Sequence, residues 1–300
     1  MNPRPMGRTA LSVPGKTFLI GEYLALKGGP SIVLATAPRF ELRAGALADD
    51  EARFNFASQS PAGRLLSRHH ESVRGYQIEF HDPHGGRGGL GASSAQFALL
   101  YAWLYGVDSV RDHAQLLKTY RECAWSGEGL PPSGADLIAQ VTGGVTCFDG
   151  NRIDVRNLGW PFKNLGFSLL RTGSKLATHE HLKRVSADVP YEAIREQVTA
   201  ATQAFEISDE EKLIGAVQNV ALVLKNANLC APHTMQILDE LAAKCDWSLA
   251  AKGCGAMGAD VILILHERAK ASLVENWAKS RDLEICGATL DLAPGMQVEG

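Results

Sequence analysis

The stretch GGRGGLGASSAQFALLYAWL, residues 85–104, joins a glycine-rich loop to two serines and a long apolar run. Glycine lets backbone N–H groups come close to an anion, and the N-terminus of a following helix adds the positive end of its dipole. The stretch therefore predicts a phosphate-binding loop that leads into a helix over residues 93–105. A flexible turn before a helix capped by Ser93 or Ser94 is the simpler alternative that this stretch leaves open.

The same loop contains GxGxxG at Gly86, Gly88 and Gly91, which is the pattern of a dinucleotide-binding turn. That turn requires a strand directly before it and alternating strands and helices after it. The strand predicted at residues 76–80 ends too early, and the chain does not continue in that alternation. A second GxGxxG, at residues 253–258, leads into a strand instead of a helix. An NAD(P)-binding oxidoreductase is therefore the weaker interpretation.

Composition limits the classes of partner. The chain has 300 residues, a net charge of −3 and 45% hydrophobic residues, which is typical of a soluble globular protein. The balanced charge disfavours nucleic acid as a partner, and the longest apolar runs are far too short to span a bilayer. Six scattered cysteines without a CxxC pair indicate reduced thiols and no structural zinc site. Because the N-terminus also lacks the apolar core of a secretory signal, we expect a cytoplasmic protein without a membrane partner.

A lysine near the N-terminus is a candidate site residue. Residues 9–13 predict a short strand, and a Pro-Gly turn then places Lys16 at the edge of an apolar strand. The Gly-Lys-Thr that begins at Gly15 suggests a P-loop, but the glycine required five places earlier is Ala10. A P-loop is therefore excluded, and Lys16 is either a site residue or a solvated surface charge.

A carboxylate follows in SGEGLPPSGADLIAQVTGG, residues 126–144. Ser133 is predicted to cap a short helix, and Asp136 stands three places later, at the spacing of a capping box. Asp136 is therefore either a capping residue or a carboxylate at the mouth of a helix that accepts a proton from a substrate.

Together these segments support a kinase. The loop over residues 85–94 would wrap the phosphates of ATP, and Ser93 or Ser94 would supply a hydroxyl to Mg²⁺. Asp136 would orient the acceptor or take its proton. Lys16 would stabilise developing charge or keep Asp136 ionised.

The second half of the chain has a different pattern. It predicts strands and helices with local connections, which is the organisation of an α+β layer. The strands are expected at residues 165–171, 260–265 and 283–292, and the helices at residues 191–205, 210–225, 232–244 and 269–280. We therefore expect an α+β protein of two domains, residues 1–155 and 156–300.

Four segments, taken in order, resemble the motifs of the GHMP kinases: PGKTFLIGEYLAL, GGLGASSAQFA, PPSGADLIAQVTGG and KGCGAMGADVILIL. The resemblance extends from Leu11 to Leu265. It implies an N-terminal ATP-binding domain of the ribosomal S5 domain 2-like type and a ferredoxin-like C-terminal domain. It also implies an active site in the cleft between them, with ATP and Mg²⁺ as cofactors and a small molecule as acceptor.

Transferred by position, the resemblance assigns catalysis to Lys16 and Asp136 and the metal contact to Ser93. The ATP loop comprises Gly88, Gly89, Leu90, Gly91, Ala92, Ser93 and Ser94. The substrate contacts are Glu22, Tyr23, Ser133, Lys175, Thr178 and Gly255. The third motif also includes Gly253 and Gly258.

The sequence departs from the family pattern at three places. Ala92 stands where the family has the first loop serine, so the choice between Ser93 and Ser94 stays open. Cys254 and Met257 replace small residues in the third motif, and no proline directly precedes the ATP loop.

The resemblance also favours one branch of the family. The Gly-Glu-Tyr-Leu of the first motif resembles the motif of phosphomevalonate kinases more than that of mevalonate kinases. Mevalonate kinase is the second choice. Cations for a phosphorylated acceptor could come from Lys16, Arg171 and Lys175. A non-catalytic GHMP-like binding protein is a further alternative, although the retained Lys16 and Asp136 argue against it. A homodimer is compatible with the sequence, which does not determine the oligomeric state.

Overall fold

The strands form two separate sheets. The computed structural model describes residues 9–173, 189–255 and 261–299. Its strands are β1 Thr9–Ile20, β2 Pro30–Ala46, β3 Arg53–Phe54, β4 Tyr76–His81, β5 Val145–Asp149, β6 Asp154–Asn157, β7 Leu165–Arg171, β8 Ser248–Cys254, β9 Val261–Glu267, β10 Ile285–Ala288 and β11 Gln297–Glu299.

The helices connect and cover these sheets. They are α1 Glu22–Ala25, α2 Pro61–Arg68, α3 Ala92–Tyr105, α4 His113–Ala124, α5 Ala135–Thr142, α6 Tyr191–Ile207, α7 Glu210–Asn226, α8 Pro232–Lys244 and α9 Ala271–Lys279. Short 3₁₀ turns occupy His70–Val73, Val107–Arg111, Arg268–Lys270 and Thr289–Asp291. Within the described ranges, no helix is long and apolar enough to cross a membrane.

The first sheet has seven strands in the described chain. The order β11-β1-β2-β4-β3 forms its main path, while β5 pairs with β2 and β6 pairs with β5. Helix α3 packs against this sheet, and nearly every residue from Ser94 to Leu104 is buried. A helix that is apolar on all sides is stable only inside a core. The run after the glycine loop therefore holds the end of that loop against the first sheet.

The second sheet is antiparallel, with the order β10-β7-β9-β8. All seven residues of β7 are buried, as are the six residues from Val261 to His266 in β9, which indicates that both faces of the sheet are covered. One face packs on Val274 and Trp277 of α9. The other shares a core with α6, α7 and Leu19 and Leu34 of the first sheet. The two sheets are thus joined by one continuous apolar cluster.

Strand β1 differs from the prediction. It continues through Pro14 and Gly15, where a separate short strand and a turn were expected. The register against β2 shifts between these two residues, and residues 37 and 38 of β2 are left without partners there. Such an irregularity lets a sheet accept proline, which has no N–H for the ladder. Lys16 therefore lies within a strand, next to a β-bulge.

Glycines cap α3 and α5, so the predicted cap at Ser133 is wrong, and so is the alternative cap at Ser93 or Ser94. Helix α3 begins after Gly91, which has a φ of 87°, and α5 begins after Gly134, which has a φ of 77°. Glycine is favoured at these positions because a Cβ disfavours positive φ. Neither helix has a side-chain cap, so Asp136 is not held in a capping box.

The C-terminal segment also differs from expectation. Only Ile285–Ala288 of the predicted strand is extended, and the chain then turns and returns to the first sheet as β11, which pairs with β1. The side chain of Arg39 holds the segment before β11 in place by donating to the carbonyl oxygens of Pro294 and Gly295, both at 2.6 Å. Strand β6 lies across residue 155, where the first domain was predicted to end. The division into two domains stays a prediction.

Candidate active site

Lys16 and Asp136, which come from distant parts of the chain, form an ion pair. Lys16 Nζ lies 2.9 Å from Asp136 Oδ2. Lys16 follows the bulge in β1 and is almost fully buried, while Asp136 lies in the first turn of α5 and is partly open to solvent. The other carboxylate oxygen, Asp136 Oδ1, is buried and has no hydrogen-bond partner among the described residues. The hydrogen-bonding capacity of this oxygen is therefore unused within the described residues.

The glycine-rich loop lies directly against this pair. The backbone N–H of Lys16 donates to the carbonyl of Leu90 at 3.0 Å. Gly91 is in contact with Lys16: a Cβ built on Gly91 would lie 2.8 Å from Cγ and 2.9 Å from Cε of that lysine. Only glycine gives this close approach together with a φ of 87°. The structure therefore brings the predicted phosphate loop and the predicted catalytic couple together.

The two loop serines differ in accessibility. Ser94 is buried and its hydroxyl donates to the carbonyl of Gly91 at 3.0 Å. Ser93 is exposed at the start of α3. Of the two, Ser93 has the hydroxyl that is open to a ligand.

Arg171 of the second sheet anchors the middle of the loop. Its Nη1 donates to the carbonyl of Gly88 at 2.7 Å, and its Nε lies 3.3 Å from the carboxylate of Glu284. Arg87 pairs with the same carboxylate. Burial, and then the charge of Arg171, lower the pKa of His84 at the start of the loop. Arg171 was predicted as a cation for a phosphorylated acceptor, whereas the structure shows it buried and holding the loop.

Glu22 and Tyr23, predicted to contact substrate, contact residues of the second half of the chain. Glu22 Oε1 lies 2.7 Å from Nζ of Lys252, and both side chains are at least nine-tenths buried. Tyr23 is buried, and its hydroxyl donates to the carbonyl of Leu229 at 3.2 Å. Lys252 was missed by sequence reasoning, although a lysine within an apolar strand is a signal of a buried partner. The substrate roles of Glu22 and Tyr23 stay predictions.

The remaining predicted contacts are less informative. Ser133 is half-buried, and its hydroxyl accepts from the backbone N–H of Ala135 at 3.3 Å. Gly255 directly follows β8 with a φ of 86°. Lys175, Thr178, Met257 and Gly258 lie outside the described residues.

Gln140 is a further polar residue that sequence reasoning missed. It is fully buried in α5, one turn after Asp136. Its Nε2 donates to the carbonyl of Pro14 and to the carbonyl of Gly91, both at 3.1 Å. A glutamine in an otherwise apolar stretch of helix, four residues after a candidate catalytic carboxylate, is the signal that could have identified it.

The chain has the α+β fold of the GHMP kinases, as the sequence motifs implied. Its solved neighbours include Methanococcus jannaschii mevalonate kinase, at 17% identity and a TM-score of 0.73 over 96% of this chain and 99% of that one. Streptococcus pneumoniae phosphomevalonate kinase matches at 16% identity and 0.73, over 94% and 99%. Lactococcus lactis galactokinase complexed with galactose matches at 12% and 0.75, over 96% and 94%. Neither a family model nor a curated protein matches this sequence.

Proposed function

We propose that this protein is an ATP-dependent kinase of small molecules in the mevalonate pathway, with phosphomevalonate as the leading acceptor. The observation that carries the proposal is the Lys16–Asp136 ion pair, 2.9 Å long, against the glycine loop. Phosphoryl transfer depends mainly on positioning and on stabilising charge, which a phosphate loop beside a lysine and a carboxylate can provide. The kinase activities of the solved neighbours support the same class of reaction.

Asp136 is proposed to act on the acceptor. An acceptor hydroxyl that attacks the γ-phosphorus of ATP must lose its proton, and Asp136 Oδ1 has no hydrogen-bond partner among the described residues. This oxygen would take the proton as the new P–O bond forms and the bond to ADP breaks. Lys16 would hold the carboxylate in place through Oδ2 and offset negative charge on the transferred group.

The residues present also fit a nucleotide and Mg²⁺. The loop glycines Gly88, Gly89 and Gly91 have positive φ values, and a backbone without Cβ atoms can approach a phosphate closely. The exposed hydroxyl of Ser93 and the partly exposed carboxylate of Asp136 are hard oxygen donors, which Mg²⁺ prefers. When bound with ATP, Mg²⁺ supplies neutralisation of phosphate charge. The Streptococcus pneumoniae neighbour was solved with phosphomevalonate and AMPPNP.

Mevalonate is the second candidate acceptor. The Gly-Glu-Tyr-Leu motif favours a phosphorylated acceptor. The phosphate group of such an acceptor, next to those of ATP, requires cations that offset its charge. Arg171 is already bound to Gly88 and Glu284, which favours an acceptor without phosphate. A neighbour from L. major is a mevalonate kinase in complex with R-mevalonate.

A coupled assay of ADP release tests the proposal with mevalonate, phosphomevalonate, diphosphomevalonate, homoserine and galactose. We expect turnover with one of the first two, and a loss of at least about 100-fold in kcat for Asp136→Asn or Lys16→Met. The surface pair Lys225–Asp239, 2.8 Å apart, gives matched controls, since Lys225→Met and Asp239→Asn remove a similar pair from an exposed position. These controls should keep the wild-type rate.

Other results would contradict the proposal. Full activity of Asp136→Asn would remove its proposed role as base. Binding of a nicotinamide nucleotide without ATP turnover would support the oxidoreductase alternative. Binding of ATP without single-turnover transfer would support a non-catalytic binding protein.

A further inference from the structure

The amide of Gln140 connects three parts of the site. It is fully buried, and its Nε2 has partners within the protein, whereas its Oε1 has none among the described residues. Nε2 lies 3.1 Å from the carbonyl oxygens of both Pro14 and Gly91. The reverse orientation of the amide would place Oε1 against two carbonyl acceptors, so the chemistry fixes the NH₂ group on this side.

The two carbonyls belong to the elements that carry the rest of the site. Pro14 lies on β1 at the bulge, two residues before Lys16. Gly91 ends the phosphate loop and precedes α3. Asp136 and Gln140 are four residues apart in α5 and therefore lie on the same side of that helix. One side chain thus links the helix of Asp136 to the strand of Lys16 and to the loop.

There is little space for these elements to shift at their meeting point. A Cβ on Gly91 would lie 3.0 Å from Gln140 Nε2 and 2.8 Å from Lys16 Cγ. The N–H of Lys16 already holds the loop at Leu90, at 3.0 Å. The hydrogen bonds of Gln140 also connect α5 to this contact between β1 and the loop.

We propose that Gln140 is a positioning residue that fixes the distance between the Asp136 carboxylate and the phosphate-binding end of the loop. It acts through the backbones of Pro14 and Gly91 and does not contact the reacting atoms. The inference rests on the proposed kinase function. Phosphoryl transfer is sensitive to small displacements between the base and the transferred group, so loss of this link should slow the chemical step more than it weakens ATP binding.

Gln140→Met keeps the length of the side chain and removes both donors. We expect kcat to fall at least about tenfold, while KM for ATP changes less than kcat. Thr146→Val is the matched control, because it removes a buried hydrogen bond, 3.0 Å long, to the carbonyl of Gly143 at the opposite end of α5. The control should lose stability but keep its kcat. Equal kcat values for wild type, Gln140→Met and Thr146→Val would overturn the proposal.

Gln140→Glu adds a signature that a merely structural role would not give. A protonated Glu side chain retains one donor for the two carbonyls, and an ionised one retains none. The ratio of its kcat to the wild-type kcat should therefore rise as pH falls, while the ratio for Gln140→Met stays constant. Lys16 on β1, Asp136 on α5 and Tyr120 on α4 are the titratable groups of this region, and all three are present in the wild type and in both variants. Parallel profiles for the two variants would contradict the inference.

Hydrogen exchange tests the link without any turnover. In Gln140→Met, the amides of Lys16, which donates to Leu90, and Ala95, which donates to Gly91, should exchange faster than in Thr146→Val. Unchanged exchange at both amides would overturn the positioning role, even in an active enzyme. Faster exchange in a protein that phosphorylates none of the acceptors would support the link and place the failure in the proposed function.

Discussion

Replacing Gly91 by alanine tests the contact between the phosphate loop and Lys16. The new Cβ would lie 2.8 Å from Cγ and 2.9 Å from Cε of Lys16, and 3.0 Å from Nε2 of Gln140. Carbon atoms in contact prefer about 3.5–4.0 Å, so the lysine must move. Its Nζ is held at 2.9 Å by Asp136, and the shift should therefore break or distort the ion pair.

The expected cost has two parts. Alanine at a φ of 87° loses roughly 1–2 kcal/mol relative to glycine. Overpacking against Lys16 and Gln140 adds about 1–3 kcal/mol. Gly159→Ala provides the matched control, because Gly159 has a φ of 64° and a Cβ added there would meet nothing within 4 Å. Gly159→Ala should show only the backbone cost of alanine at positive φ.

Denaturant unfolding of the two variants measures this difference. We expect Gly91→Ala to lose about 2–5 kcal/mol and Gly159→Ala about 1–2 kcal/mol. Under conditions where both are folded, kcat/KM for ATP should fall at least about tenfold in Gly91→Ala and remain unchanged in Gly159→Ala. Equal losses of stability, with full activity in both, would refute the close approach of loop and lysine.

Three further predictions concern other parts of the molecule. Lys252→Met should destabilise the fold by about 3–5 kcal/mol in denaturant unfolding, because it leaves Glu22 buried without its partner. Adding Glu22→Gln should recover part of that loss, whereas additive losses in the double variant would exclude coupling between the two residues. Burial raises the pKa of Cys230 to about 11, from 9.0, so its thiolate fraction at pH 8 should be about 100-fold below that of an unperturbed thiol. Iodoacetamide should therefore label it slowly in the native protein and quickly in urea, whereas rapid native labelling would show an accessible thiolate. Arg171→Met should weaken AMPPNP binding about tenfold in calorimetry, because the nucleotide must then order the loop that Arg171 holds at Gly88; unchanged affinity would show that the loop is rigid without it.

Local features of the site could be predicted from the sequence alone. Repeated glycines before an apolar run predicted the loop and the buried helix α3, since both depend on backbone freedom and on hydrophobicity within about 20 residues. The helices α6, α7 and α8 follow from their apolar periodicity, and their predicted bounds agree with the structure to within two residues. The capping residues of α3 and α5 were not predicted correctly, because a glycine with positive φ stands where a serine cap was considered.

The amino-acid sequence by itself predicted most of the longer helices and strands and named Lys16, Asp136 and Ser93 as candidates. Only the tertiary structure decided which side chains meet: the lysine with the aspartate, Gln140 with a carbonyl 126 residues away, and Lys252 with a carboxylate 230 residues away. Periodicity and capping act between near neighbours in the chain, whereas these contacts depend on how the sheets and helices pack. The sequence around a buried polar residue does not identify its hydrogen-bonding partner. The role of such a residue can therefore be assigned only from the tertiary structure, where the partner lies beside it.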